Sequence, residues 1–215
     1  MAAKILIIGP QRCGKTRIAN CLSDFETSPN FEQYNQTAGV RILESERVIR
    51  VEGRSVRQQV EIWDCSGDKK YENCWPAILR DAHGVIMVYD PTVKTQEKDI
   101  ELWHKAFVHG LNLPDSQVML FSHSPAVGHT GAVAQPPLSL SKFTHLRTSL
   151  DNEDQTATMR QVTPTLALSQ EPHTHAHAHP HLPLIRQGFD TFLGKVAVGM
   201  AEKSKAEMEA SLAQA

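Results

Sequence analysis

The sequence has almost no charge excess: 22 Lys and Arg against 24 Asp and Glu give a formal net charge of −2. That balance builds no basic field, so it gives no support to binding nucleic acid or an anionic membrane surface. Cysteine is sparse. Cys13, Cys21, Cys65 and Cys74 form no C-x-x-C pair and no disulfide-dense pattern, which fits a reducing interior better than secretion. No apolar run is long enough to cross a bilayer, and no basic and apolar leader precedes the first strand. The sequence closes on Ser211-Leu212-Ala213-Gln214-Ala215 without the cysteine that a prenyl group needs, so no lipid anchor is expected. What is present is 215 residues at 40% hydrophobic content, enough for one domain and an appendage.

One stretch organises the rest. Gly9-Pro10-Gln11-Arg12-Cys13-Gly14-Lys15-Thr16 fits the phosphate-binding pattern G-x-x-x-x-G-K-[ST]. The apolar run Lys4-Ile5-Leu6-Ile7-Ile8 before it predicts a buried strand, and Ile18, Cys21 and Leu22 after it share one helical face. Strand, glycine turn and helix together separate this motif from a chance Gly-rich turn. Gly9 and Gly14 let the backbone of Gln11, Arg12 and Cys13 curl so that its N–H groups face phosphate oxygens. The helix that opens at Lys15 adds the positive end of its dipole. Lys15 can reach the β- and γ-phosphates, and the Thr16 hydroxyl can ligate Mg²⁺.

A second signal stands about fifty residues on. Residues 40–51 and 56–64 are rich in β-branched side chains and are split by Glu52-Gly53-Arg54, which predicts a hairpin. Its second strand runs into Trp63-Asp64-Cys65-Ser66-Gly67. Asp64 is placed to hold Mg²⁺, directly or through water, and Gly67 to offer its N–H to a γ-phosphate. Asp-x-x-Gly alone is a common turn; after a phosphate loop it means more. Thr37, in Gln36-Thr37-Ala38-Gly39, is the candidate for the third Mg²⁺ ligand, the alternative being an ordinary loop threonine. Thus Gly9, Gln11, Arg12, Cys13, Gly14, Lys15, Thr16, Thr37, Asp64 and Gly67 form the expected nucleotide site, with Thr16, Thr37 and Asp64 on the metal. No residue is assigned a catalytic role.

Further strands are predicted at 84–89 and 117–121, and a short last one within 143–150. Helices are predicted within 69–81, with Pro76 in the first turn, and over 94–109, where Ile100, Trp103 and Phe107 share a face. Trp103 reads as core. A long loop is expected over 122–140. The alternation predicts an α/β fold with a mostly parallel sheet and helices on both faces.

The combination carries a resemblance. The phosphate loop, Thr37-Ala38-Gly39-Val40, Trp63-Asp64-x-x-Gly67 and the run from Asp81 to Asp90 resemble the Rab branch of the Ras superfamily. Gly39-Val40-Arg41-Ile42-Leu43-Glu44, Trp63-Asp64-Cys65-x-Gly67-Asp68 and Cys74-Trp75-Pro76-Ala77 resemble more closely the Rab-like protein 5, or intraflagellar transport protein 22, family. The likeness covers residues 1–160 and, more weakly, the last helix. It implies a Ras-like P-loop NTPase domain with a six-stranded sheet, binding GTP or GDP with Mg²⁺. It further implies a small GTPase-like subunit of the intraflagellar transport complex B, partnered by the coiled-coil pair of that complex's core. The expected places are the cilium or flagellum, the basal body and the cytoplasm. A Rab-type switch in vesicle trafficking is the alternative. A P-loop kinase or ATPase is disfavoured because no arginine-rich lid is evident.

Three departures bear on chemistry. Asp68 stands where Ras-like enzymes place the glutamine that orients the attacking water; an ionised carboxylate donates no hydrogen bond and faces a phosphate of its own sign. Gln11 occupies a loop position that is usually glycine, crowding the space that water and an incoming arginine need. The guanine-reading Asn-Lys-x-Asp is replaced by Ser122-His123-Ser124-Pro125-Ala126, which holds no acid; the nearest run to the later Ser-Ala-Lys loop is Leu146-Arg147-Thr148-Ser149. Slow or absent hydrolysis and a weak preference for guanine follow.

Residues 162–187 break the composition. They hold Pro164, Pro172, Pro180 and Pro183, and the histidines His173, His175, His177, His179 and His181. A metal site is conceivable from the histidines, yet disordered low complexity is the plainer reading. Deleting the segment would join Met159-Arg160-Gln161 to Gly188-Phe189-Asp190 in one helix. Valine codons begin GT and a glutamine codon can end AG, so a retained intron is the expectation. The domain plan is a nucleotide-binding domain over 1–161, this insertion, and over 188–215 a closing helix with a frayed tail. In that helix Phe189, Phe192, Leu193, Val196 and Met200 share a face.

Overall fold

β1 (Ala3–Ile8) is buried along its whole length, and its alternate side chains feed two different cores. Ala3, Ile5 and Ile7 point into one cluster and Leu6 and Ile8 into the other, as the period of two requires for a strand covered on both faces. The structure is a computed structural model, and it describes residues 1–23, 35–124, 135–148 and 182–213. The histidine tract, the acidic run at 151–154, Pro125, Ala126 and Ser149 lie outside the described residues.

The elements follow as α1 (Lys15–Leu22), β2 (Val40–Val51), β3 (Arg54–Cys65), α2 (Trp75–Leu79), β4 (Gly84–Tyr89), α3 (Lys94–Trp103), β5 (Val118–His123), β6 (Thr144–Thr148) and α4 (Leu182–Leu212). The six strands form one sheet in the order β2-β3-β1-β4-β5-β6. All neighbours pair in parallel except β2 with β3. The expected α/β architecture is therefore present, with α1 and α4 over one face and α2 and α3 over the other. The hairpin turn is Glu52-Gly53, with φ of 49° and 80°. Two positive φ values in a two-residue loop match the twist of the flanking strands.

On the α3 face Trp75, Trp103 and Phe107 pack with ring centroids 4.8 to 5.2 Å apart. Trp103 is core, as its helical spacing with Ile100 and Phe107 predicts. α3 passes into a π turn over His104–Val108. The extra residue turns both Phe107 and Val108 inward.

Two expectations are corrected. The closing helix begins at Leu182 rather than Gly188, so the boundary drawn at 187/188 falls inside α4. Pro183 sits in the first turn, where proline's missing N–H costs nothing. Ile185 lies one turn before Phe189 and is buried with it in the core. At its far end α4 is continuous to Leu212, with its side chains from Ala201 onward exposed. Finally, Ser122 and His123, expected in a loop, are the last residues of β5. α4 is also tied to the sheet by charge. Arg47 of β2 donates from Nε and Nη2 to Asp190 Oδ1 at 3.0 and 2.9 Å.

Candidate functional site

The loop between β1 and α1 has the backbone the motif requires. Gly14 is left-handed at φ +89° and caps α1. Arg12 is left-handed too, at φ +62°, an uncommon conformation for a residue with a side chain. A Cβ on Gly14 would stand 2.1 Å from His123 Cδ2, so this position is closed to any other residue on two counts. Gly67 is needed for proximity instead: a Cβ there would lie 2.6 Å from Gln11 N. The turn after β3 thus presses directly on the phosphate loop.

Lys15 Nζ is buried and donates to the Gly9 and Pro10 carbonyls at 3.0 and 2.6 Å. Cys13 Sγ sits behind the loop, 3.1 Å from Pro10 O and 3.2 Å from Val88 O. Burial pushes its thiol up from the ordinary range. Gln11 is exposed; its carbonyl accepts from Gln96 Nε2 at 3.2 Å. With Gly67, Asp68 and Gln96, Gln11 lines an open cavity of about 480 Å³ beside the loop.

Thr16, Thr37 and Asp64, from three separate segments, come together. Thr16 Oγ1 donates to Asp64 Oδ2 at 2.8 Å and lies 3.1 Å from Thr37 Oγ1. Thr37 Oγ1 reaches the same carboxylate oxygen at 3.5 Å. Asp64 is fully buried, and its Oδ1 has no hydrogen-bond partner among the described residues. Burial pushes its carboxyl up, against the Thr16 hydroxyl, the Arg41 charge and the Lys15 charge, which pull it down. Two hydroxyls on a carboxylate whose other oxygen has no hydrogen-bond partner among the described residues are a hard-oxygen donor set that suits Mg²⁺, so the residues present fit the metal the motif implies.

Around this centre are groups the sequence did not single out. Arg41 Nη2 lies 3.6 Å from Asp64 Oδ2 and donates to Asn20 Oδ1. Arg41 was legible only as part of a family run, and Asn20 only as a helix residue. Gln96, which bridges Gln11 and Asp90 N–H, carried no sequence signal.

Asp68 is fully engaged. Its carboxylate accepts the Lys70 N–H at 3.0 Å, pairs with Lys70 Nζ at 3.2 Å and accepts from Gln36 Nε2 at 3.0 Å. The Lys70 backbone N–H is the main reason its carboxyl is held below the ordinary range. Asp68 is therefore an acceptor bound to its own turn.

At the other end, His123 Nδ1 lies 2.9 Å from Thr148 Oγ1, and Ser124 N–H donates to Thr148 O at 3.1 Å. Ser122 Oγ lies 2.9 Å from His145 Nε2. Burial pushes the His145 imidazole down to about 4, so it is neutral at pH 7. The described ends of β5 and β6 carry no carboxylate.

Comparison with known proteins agrees with this geometry. A family model described as the Ras of Complex, Roc, domain of DAPkinase matches residues 4–122. The intraflagellar transport protein 22 homolog of Mus musculus is 40% identical over 158 residues, covering 72% of this chain and 84% of that protein. The homolog of Danio rerio is 35% identical over 207 residues, covering 95% of each. Among solved structures, the GTP-bound crystal structure of T. brucei IFT22/74/81 superposes with a TM-score of 0.66 at 26% identity, covering 94% of this chain and 99% of that one.

Proposed function

The chain belongs to the intraflagellar transport protein 22 family, and from that premise we propose that it is a small GTPase-like subunit of the ciliary transport machinery that binds GTP or GDP with Mg²⁺. The observation that carries the reading is the meeting of Thr16, Thr37 and Asp64 beside a loop whose Gly14 and Arg12 have the required left-handed backbone. The phosphates would lie along the N–H groups of residues 11–16, at the positive end of α1. Lys15 would exchange its two loop carbonyls for phosphate oxygens. Thr16 and Thr37 would turn their hydroxyl oxygens toward the metal, and Asp64 would hold it directly or through water. Mg²⁺, when bound, would neutralise the β- and γ-phosphate oxygens. Thr37 lies two residues before Gly39, whose carbonyl accepts from Ser66 N–H at 2.8 Å; this link makes the Thr37 loop and the turn after β3 one surface.

The loaded subunit acts as an adaptor rather than a fast hydrolase. Asp68 supports this, being tied down and unable to donate to a water. The complex it enters is the complex B core, through that core's coiled-coil pair, at the cilium or flagellum, the basal body and the cytoplasm. The T. brucei IFT22/74/81 assembly supports the choice of partners. The deciding experiment is a pull-down from ciliated cells scored for complex B subunits. Their recovery is expected, and recovery of vesicle-trafficking effectors in their place would overturn the reading. Single-turnover assays on the purified protein are expected to show GTP cleavage no faster than about 10⁻³ per second, near the unassisted rate of a Ras-like site.

A further inference from the structure

The metal end of the groove holds a charge that no magnesium site needs. β2 and β3 pair so that Arg41 stands directly across from Asp64, and cross-strand partners put their side chains on one face with Cβ atoms about 5 Å apart. Register, and not a chance rotamer, therefore brings the guanidinium to the carboxylate. Arg41 Nη2 is 3.6 Å from Asp64 Oδ2, the same oxygen that receives the Thr16 hydroxyl at 2.8 Å. Asn20, one turn along α1 from Thr16, accepts a hydrogen bond from Arg41 Nη2 and fixes it there. Arg41 Nε is buried with no hydrogen-bond partner among the described residues, so the side chain gives up a donor to keep this pose. Asp64 itself is completely buried, and a carboxylate that stays ionised in that setting needs a counter-charge.

We infer that Arg41 is a built-in counter-cation for Asp64, which takes over part of the metal's electrostatic role and repels Mg²⁺ when it arrives, so that nucleotide retention depends only weakly on the metal. The inference rests on the magnesium-nucleotide reading above. A dication among Thr16, Thr37 and Asp64 would share one carboxylate oxygen with the guanidinium. The two positive charges oppose each other, while the side chain's 36% exposure screens the repulsion in part. Removing the guanidinium should therefore tighten the metal. It should also leave Asp64 without its resident cation once the metal is withdrawn.

The test compares release of a fluorescent GDP in Mg²⁺ and in EDTA. Wild type should accelerate less than about tenfold on chelation, and Arg41→Gln should raise that ratio by about another tenfold, in step with a tighter Mg²⁺ midpoint. Arg41→Lys, which keeps the charge, should fall back toward wild type. A ratio unchanged in Arg41→Gln would overturn the inference. A second arm uses no nucleotide: thermal melts in EDTA of Arg41→Gln, Asp64→Asn and the double variant. The double variant should be more stable than the sum of the single losses predicts, because each single change strands a charge; strict additivity would overturn the pairing. If wild type retains no fluorescent GDP, the functional reading fails, and the melts still decide whether Arg41 and Asp64 are a charge pair.

Discussion

At the phosphate end of the groove, Thr16, Thr37 and Asp64 arrive from three segments and meet around one carboxylate oxygen. At the base end, the chain closes on itself: His123 engages Thr148, Ser124 engages the same residue's carbonyl, and Ser122 engages His145. One end gathers hydroxyls around a carboxylate whose Oδ1 has no hydrogen-bond partner among the described residues; the other ties the ends of two strands to each other, although the buried Ser124 Oγ has no hydrogen-bond partner there. On the reading proposed above, the difference teaches that the charge-handling half of a nucleotide site can be kept where the ends of β5 and β6 bind chiefly to each other. The two halves still touch, at Gly14 and His123.

The largest effect is expected from Lys15→Ala, which should weaken GTP and ATP alike by at least about a hundredfold, or ~3 kcal/mol. Calorimetry reads it directly. A loss under tenfold, or one confined to GTP, would show that the phosphate end is not the holding end. Next is the junction. Gly14→Ala should cost about 2–4 kcal/mol in denaturant unfolding, from backbone strain at φ +89° and from the clash with His123. Adding His123→Ala should return about 1 kcal/mol by removing the clash and leaving the strain.

The base end has a pH signature of its own. His145 is held at about 4 in the fold by burial, against an ordinary 6.5. The unfolded chain therefore takes up this proton first as pH falls. Its contribution is intact above about pH 6.5 and is lost as pH drops toward about 4, roughly 2 kcal/mol of it between pH 7 and 5. Denaturation of wild type and His145→Gln at both pH values isolates this difference. Burial also holds His83 and His104 low, but their contributions are common to both proteins. A variant as pH-sensitive as wild type would mean that His145 is not the buried neutral group at this end. The smallest expected effect is the gap between GTP and ATP affinities, under about tenfold or ~1.4 kcal/mol. A larger gap would mean that another group reads the base, and the comparison would have to be redrawn.

Most of the strands and the phosphate loop were legible in the sequence because each rests on local rules. The run at 84–89 is apolar without interruption, and Glu52-Gly53 is a turn by residue type alone. Lys15 and Thr16 follow from spacing. What was not legible depends on partners distant in sequence. Arg41 reaches Asp64 only through strand register, and Gln96 reaches Gln11 only because α3 packs beside the loop. The start of α4 was obscured for a different reason. Pro180 and Pro183 continue the proline-rich character of the preceding tract, so composition hid the apolar stripe from Ile185 to Phe189. At His123 the sequence revealed a missing acid, but not that the histidine would serve as a strand end and a support for Gly14.

The charge tie between Arg47 and Asp190 has one more consequence. β2 is an edge strand, and edge strands are where a sheet can slide. A slip that keeps the same side chains facing inward must move two residues at a time, about 7 Å. Such a step would carry Arg47 out of reach of α4 and break twelve aligned residue pairs between β2 and β3. A shift of this hairpin along the sheet is therefore opposed by both the tie to α4 and the strand ladder, whereas Gly39, just before β2, has φ +68° and open space around it.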